Sequence, residues 1–318
     1  MTFISFLKLV EIQTKVASGI PFLLGTLYAL YRFDTFKPVN FILMLVSLVC
    51  IDMATTAINN YQDFRRASKK HGYGYENHNA IVKYKLKESA VVATISVLVA
   101  VAVLFGFILY LNTDFVVLLL GAASFMVGLL YSFGPVPISR TPFGEMFSGG
   151  FMGFIIPFIA IYIHVFDHNL LSIGFSSGML NLSLNLPELL YIVLFSIPAA
   201  AGIANIMLAN NICDIEDDIE NKRYTLPVYI GRENALRVFK ALYYISYIAL
   251  LLLLIVRVAP LISIAALISF SIVNRNIGTF YRVQTKKDTF ILSVRNFVVL
   301  NAVLTVAMAA AVLVKYLM

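Results

Sequence analysis

Long apolar runs broken by short polar segments dominate the chain from end to end. Nine of them are long enough, or nearly so, to cross a bilayer as helices, which takes about 20 residues each. They cover residues 14–31, 39–60, 89–111, 115–133, 147–165, 189–211, 236–256, 259–274 and 296–316. Lys15 interrupts the start of the first, and the eighth is short and leans on Pro260. The pattern predicts an all-α, polytopic membrane protein: one domain over 1–318, a bundle of nine transmembrane helices with cytoplasmic cap loops. The segment 166–188, rich in Ser and Asn with Gly174 and Gly178, reads as a plain connection. No stretch reads as a soluble domain, linker or low-complexity tail.

Composition agrees: 60% of residues are apolar and 13% charged, which excludes an ordinary soluble globule. The charges lie mostly between the runs, so the net charge of +7 reports membrane orientation and not nucleic-acid binding. With the N-terminus inside, 20 of the 24 Lys and Arg residues fall on the cytoplasmic side, and only Arg32, Lys37, Arg257 and Lys315 fall opposite. This places the chain in the cell membrane, with its N-terminus and its most polar loops in the cytoplasm. The start, MTFISFLKLVEIQ, lacks a basic stretch before an apolar core, so the first membrane helix is expected to do the targeting. Cys50 and Cys213 fit no zinc or paired-cysteine spacing.

Two of the runs end alike. Asn59-Asn60-Tyr61-Gln62-Asp63 closes the second and Asn210-Asn211-Ile212-Cys213-Asp214 closes the sixth, both Asn-Asn-x-x-Asp. Runs two and six cross the membrane in the same direction, which suggests a parallel internal repeat and one site between two facing helices. Asp218 lies four residues beyond Asp214 and shares its face on a continuing helix, with Asp217 beside it. Carboxylates this close repel at a membrane edge and are eased by a divalent cation. Mg²⁺ suits, because it is usually held by one or two carboxylates plus phosphate oxygens and water. Asp63, Asp214 and Asp218 are the candidate metal ligands and catalytic carboxylates. Asn59 and Asn210 offer amide oxygens, and Arg66, Arg140, Lys222 and Arg223 offer charge for a phosphate group. The set suits a diphosphate whose lipid tail lies in the membrane. Losing diphosphate from an allylic carbon leaves a stabilised cation, which an electron-rich aromatic ring can attack.

Plainer readings stand beside these. The acidic stretch could be a solvated helix end, and Glu216, Asp217 and Glu220 read as solvated neighbours. Lys15 reads as snorkelling to the interface, Arg140 as a positive-inside anchor, and His71 and His78 as solvated. Tyr131 and the Phe-rich helices serve either packing or the wall of a prenyl channel, and Glu145 either caps the fifth helix or binds the acceptor.

Three stretches carry a family resemblance: NNYQDF, the segment 131–145 with YSFGPVP and TPFGE, and NNICDIEDDIENKRYTLPVYIG. Over nearly its whole length the chain resembles intramembrane aromatic prenyltransferases of the UbiA superfamily. Within that family it most resembles the 1,4-dihydroxy-2-naphthoate polyprenyltransferases of menaquinone synthesis. The resemblance implies Mg²⁺-dependent transfer of a polyprenyl group from its diphosphate to the naphthoate ring, with loss of CO₂ and diphosphate, toward demethylmenaquinone. It also implies that Tyr131 and the residues named above bind substrate. The chain departs from the family where a further Asp is usual after Asp63, since Ala67 and Lys69 stand there. Glu76, in the same loop, is a candidate replacement for that carboxylate. Cys213 stands where the naphthoate branch often has Arg, and Pro135 breaks the Tyr-x-x-x-Lys pattern of some members. The rival readings are 4-hydroxybenzoate, haem and chlorophyll-type prenyl transfer. Outside that class stand a cation-coupled transporter, whose ionisable groups would sit nearer the midplane, and a scaffold.

The charge split makes a prediction. Single cysteines introduced as His71→Cys and Arg282→Cys should be labelled from the cytoplasm, and Ser177→Cys from outside. Labelling of positions 71 and 177 from the same side would refute the nine-span topology.

Overall fold

The computed structural model describes residues 1–66, 79–176 and 178–317, with Arg66, Phe175 and Ser176 described by backbone alone. Ala67, Lys69, His71, Glu76, His78 and Ser177 lie outside the described residues. Among the described residues nine helices are long and apolar enough to cross a membrane. They are α1 (Ile12–Phe33), α2 (Pro38–Arg65), α3 (Glu88–Leu111), α4 (Phe115–Ser132), α5 (Gly144–Val165), α6 (Leu186–Cys213), α7 (Leu226–Ile255), α8 (Leu261–Arg282) and α9 (Phe290–Leu317). Large apolar side chains such as Val97, Leu104, Phe107, Ile248, Ile268 and Val306 are exposed along them, a surface made for lipid. The chain is a multi-pass membrane protein.

Several helices are longer than their apolar runs. α7 begins at Leu226, with Pro227 in its first turn, although the run starts at 236. Arg232 and Glu233 lie in this first part and mask it. α8 runs past 274 to Arg282, because its second half buries Val273, Ile277 and Phe280 on one side only. The connection read as plain loop contains a hairpin. β1 (Leu171–Ser176) pairs antiparallel with β2 (Met179–Leu184), in a register that sets Leu171 opposite Leu184. The alternation Met179, Asn181, Ser183 against Leu180, Leu182, Leu184 is too short to outweigh the Ser and Asn content of the segment.

α5 is the central member. Its Gly149 and Gly153, four apart, lie against Ala200 of α6 so closely that a Cβ on Gly149 would come 2.6 Å from the Ala200 carbonyl oxygen, and one on Gly153 would overlap the Ala200 backbone. Small residues at this spacing let membrane helices meet backbone to backbone. α5 also contains one π-helical stretch, Phe151–Ile155. Pro157 follows it and has no N–H to offer the carbonyl of Gly153, which loosens the helical ladder there. α1 packs along the second half of α5, and α2 packs on α3 and on α5. α2 and α6 share no extended interface among the described residues, so the expected facing pair is held apart, with α5 packed against both.

A small separate core closes the bundle near the end of α2. Leu9 and Val10, at the end of the short helix Phe3–Leu9, and Ala80 and Ile81 from the turn Ala80–Lys83, pack on Ala54, Ala57 and Val91.

Gly153→Ala should lower thermal stability by about 1–3 kcal/mol, the usual range for overpacking. Gly150→Ala, where a Cβ meets open space, should leave it unchanged. The melting temperatures in detergent of the two variants and the parent check this.

Candidate active site

α2, α4 and α5 enclose a cavity of about 380 Å³, with contributions from α1, α3 and α6. Its polar end carries Asn59, Thr56 and Tyr131; its deep end is apolar and includes Met44, Leu109, Val117 and Ile159. The loosened stretch of α5 supplies much of one wall. Phe147 and Phe151 stack there with centroids 5.9 Å apart and planes 5° from parallel, and Met152 lies beside them. Of the residues expected to bind substrate, Asn59 and Tyr131 line this cavity. Tyr131 donates from its hydroxyl to the Gly144 carbonyl at 3.5 Å, which ties α4 to the start of α5.

In each motif the second asparagine is structural. Asn60 donates to the Leu9 carbonyl (2.9 Å) and its own carbonyl accepts from Asn79 (2.9 Å), fastening the small core to α2. Asn211 is buried and donates to Glu145 Oε1 (2.8 Å), fastening α6 to α5. Glu145 sits in the first turn of α5 but makes no capping bond; its carboxylate is a tether to α6 instead of the cap expected from the sequence. The first asparagine of the α2 motif, Asn59, lines the cavity. Asn210 Nδ2 donates to Asp214 Oδ2 at 3.5 Å, and Asp63 is exposed at the end of α2.

Asp214 ends α6, and the short helix Ile215–Glu220 follows. Lys222 then adopts a left-handed backbone conformation (φ 54°), rare for a side chain without special cause. The chain reverses there, and the Arg223 amide donates to the Asp218 carbonyl at 2.7 Å. The reversal brings two partners to the buried Asp218 carboxylate. Arg223 Nε lies 3.3 Å from Oδ1 without the alignment of a hydrogen bond, and Thr225 donates to Oδ2 at 2.9 Å. Burial raises the Asp218 pKa, and Arg223 and Thr225 oppose the rise. Arg223 also donates to the Ser139 carbonyl (3.4 Å), and the Tyr224 amide donates to the Arg140 carbonyl (3.0 Å). The segment with Arg140 is thereby docked on the second motif. Lys222 is exposed, Asp217 is exposed, and the Arg66 side chain lies outside the described set.

Two participants were missed in the sequence. Lys286, from the turn between α8 and α9, makes an ion pair with Asp214. It was counted only as one more basic loop residue. Asp52 lies seven residues before Asn59 on the same face of α2 and lines the cavity. A carboxylate inside an apolar run is a signal in itself. Its partner is Lys15, which does not snorkel outward: Nζ is 2.6 Å from Asp52 Oδ1 and both side chains are nearly buried, 11% and 13% exposed.

Among the described residues no three His, Cys, Asp or Glu side chains converge to form a complete metal cage. The donors that are present are hard oxygens, and the Lys286 ammonium already stands on Asp214 as a cation would. The Asp214 and Asn210 side chains therefore fit a hard cation whose remaining ligands come from a phosphate group and water. Asp218 is committed to Arg223 and Thr225.

A sequence model described as the UbiA prenyltransferase family matches residues 18–299. The 1,4-dihydroxy-2-naphthoate octaprenyltransferase of Bacillus subtilis (strain 168) is 32% identical over 244 residues, covering 76% of this chain and 70% of that protein. A solved UbiA homolog from Aeropyrum pernix K1 superposes with a TM-score of 0.68 at 18% identity, covering 96% of this chain and 98% of its own. One from Archaeoglobus fulgidus, bound to GPP and Mg²⁺, gives 0.64 at 15% identity, over 97% and 99% of the two chains. At these identities the solved structures speak for the fold.

Asp218→Asn should cost about 1–3 kcal/mol of stability, because it leaves Arg223 facing a buried neutral group. Asp214→Asn, whose partner Lys286 is 56% exposed, should cost less than about 1 kcal/mol. Thermal melts of the two purified variants separate a folding role from a binding one.

Proposed function

Because the chain belongs to the UbiA prenyltransferase family, we propose that it moves a polyprenyl group from its diphosphate to 1,4-dihydroxy-2-naphthoate, releasing diphosphate and CO₂. The observation that carries this reading is a cavity that is polar at its Asn59 end, where the first Asn-Asn-x-x-Asp motif lines it, and apolar in its depth, in a chain that repeats the motif at the end of α6. The name of the Bacillus subtilis relative supports the acceptor, and the GPP and Mg²⁺ in the Archaeoglobus fulgidus homolog support the donor and the metal.

Asp63 and Asp214, with Asn59 and Asn210, would hold Mg²⁺ and through it the diphosphate. When bound, the metal supplies Lewis-acid stabilisation to the leaving diphosphate. Lys222, Arg66 and Arg140 add positive charge around the same group. Lys286 leaves Asp214 as the site is loaded and is free to face the diphosphate. Asp218 acts through Arg223, fixing the reversed loop that presents this guanidinium. The bond from the allylic carbon to the diphosphate oxygen breaks with its electron pair on the oxygen. The ring carbon that bears the carboxylate forms the new C–C bond, and CO₂ departs as the ring regains aromaticity. The stacked Phe147 and Phe151 and the apolar depth of the cavity keep water from the allylic cation. The excess of basic residues on one side supports a cell-membrane location with the N-terminus and the site-facing loops in the cytoplasm.

Purified protein incubated with Mg²⁺, a polyprenyl diphosphate and a panel of aromatic acceptors, read by mass, tests the reading. Activity should disappear with EDTA and return with Mg²⁺ or Mn²⁺. Asp63→Asn and Asp214→Asn should each cost about 3 kcal/mol in transition-state stabilisation, about a hundredfold in rate. The double variant should be far less than additively worse, and Asp217→Asn should be mild. Near-normal turnover per folded molecule in both single variants would sink the assignment of the two motifs.

A further inference from the structure

The polar group around Asp52 has no part in holding the diphosphate, yet it forms part of the cavity wall. Lys15 Nζ donates to Asp52 Oδ1 (2.6 Å), to the Asp52 carbonyl (3.0 Å) and to Thr56 Oγ1 (2.6 Å). An ammonium has three N–H bonds, so Lys15 has none left. Ser18, itself buried, donates to Asp52 Oδ2 at 2.5 Å. Thr55 and Thr56 both donate to the Asp52 carbonyl at 3.0 Å. Asp52, Ser18, Thr55 and Thr56 line the cavity, and Lys15 stands behind them.

Three consequences follow from this arrangement. The carboxylate and the ammonium cancel, so the wall presents no net positive charge to a substrate carboxylate. Each carboxylate oxygen accepts one of these bonds and has further lone pairs, so what the wall offers is acceptor capacity. A prenyl chain has no donor to give it and would leave the remaining lone pairs unused. The group therefore suits a ligand with an O–H bond. Asp52 lies two helical turns below Asn59, roughly 10 Å along α2, a span that a fused two-ring aromatic fills. Phe147 and Phe151, whose rings are parallel, line the same cavity.

We propose that Asp52 anchors a ring hydroxyl of the aromatic acceptor, with Lys15 and Ser18 as positioning residues that hold its carboxylate at the cavity wall. The ring hydroxyl that does not flank the carboxylate then faces α1 and α2, and the carboxylate, which meets no net positive charge at this wall, faces away. This rests on the prenyl-transfer reading above and adds to it a subsite and an orientation.

The test couples a change in the protein to a change in the ligand. The full-length protein is assayed with Mg²⁺, a polyprenyl diphosphate, and either 1,4-dihydroxy-2-naphthoate or its two mono-O-methyl ethers. The parent should lose about tenfold in kcat/KM with one of the ethers, because a site built to bond an O–H rejects the analogue that lacks it. Asp52→Asn should lose about tenfold with the diol, mostly in acceptor KM, and less than about threefold more on methylation. Its KM for the polyprenyl diphosphate should stay within about twofold of the parent. Ser18→Ala, which removes one donor and no charge, should raise acceptor KM about threefold and serves if Asp52→Asn does not fold. An undiminished methylation penalty in Asp52→Asn overturns the proposal. So does a rise in diphosphate KM in place of acceptor KM, in either variant. A parent protein that prenylates the diol without any such coupling to Asp52 refutes only this subsite. A folded parent that prenylates no acceptor refutes the function beneath it.

Discussion

The backbone of α5 touches that of α6 because Gly149 and Gly153 carry no side chain at the crossing. The rest of the site depends on that contact. In a bilayer there is no hydrophobic drive to bring one apolar helix against another, so close packing of backbones has to supply the adhesion. With α5 fixed on α6, Asn211 reaches Glu145, and α5 serves as the beam on which α1 and α2 are also laid. The two motif-bearing helices then stand apart across a gap. Had α2 and α6 packed on each other directly, the two aspartates would have met, but no room would have remained for an organic substrate between them.

The second constraint is electrostatic. Groups that are charged within or beside a low-dielectric medium must be matched before they can be useful. Lys15 matches Asp52, Arg223 and Thr225 match Asp218, and Lys286 matches Asp214. These pairs differ in how tightly they are closed. Asp218 is buried and its loop is built around it, whereas Lys286 reaches Asp214 from a turn open to solvent. The gradation separates a carboxylate that shapes the site from one that can exchange its partner.

The nine helices and the paired motifs were legible because they are written in the strongest signals a sequence has: long apolar runs and an exact local repetition of polar residues. The division of labour within the motifs was not. Asn59 and Asn60 look equivalent on paper, and only the placement of Leu9 shows that one is a fastening and the other a lining residue. Asp218 reads as a metal ligand by its spacing from Asp214, since spacing on one helix ignores the reversal at Lys222 that folds Arg223 and Thr225 back onto it. Lys15 reads as an interfacial lysine because its partner is 37 residues away and could not be paired with it by any local rule. The start of α7 and the end of α8 lie outside the apolar runs for one reason: hydropathy measures what faces lipid, and those stretches are amphipathic.

The volume of the cavity has a consequence of its own. About 380 Å³ lies near the lower end of the range for pockets that hold drug-sized molecules, roughly 300–1,000 Å³. On the proposed reading it must admit the head of the isoprenoid together with a bicyclic ring, which leaves no space for many isoprene units. The distal tail would then stay among the acyl chains of the bilayer, and chain length would be a property of the supply, set wherever the diphosphate is elongated. A cell that changed the length of its isoprenoid could keep this protein as it is.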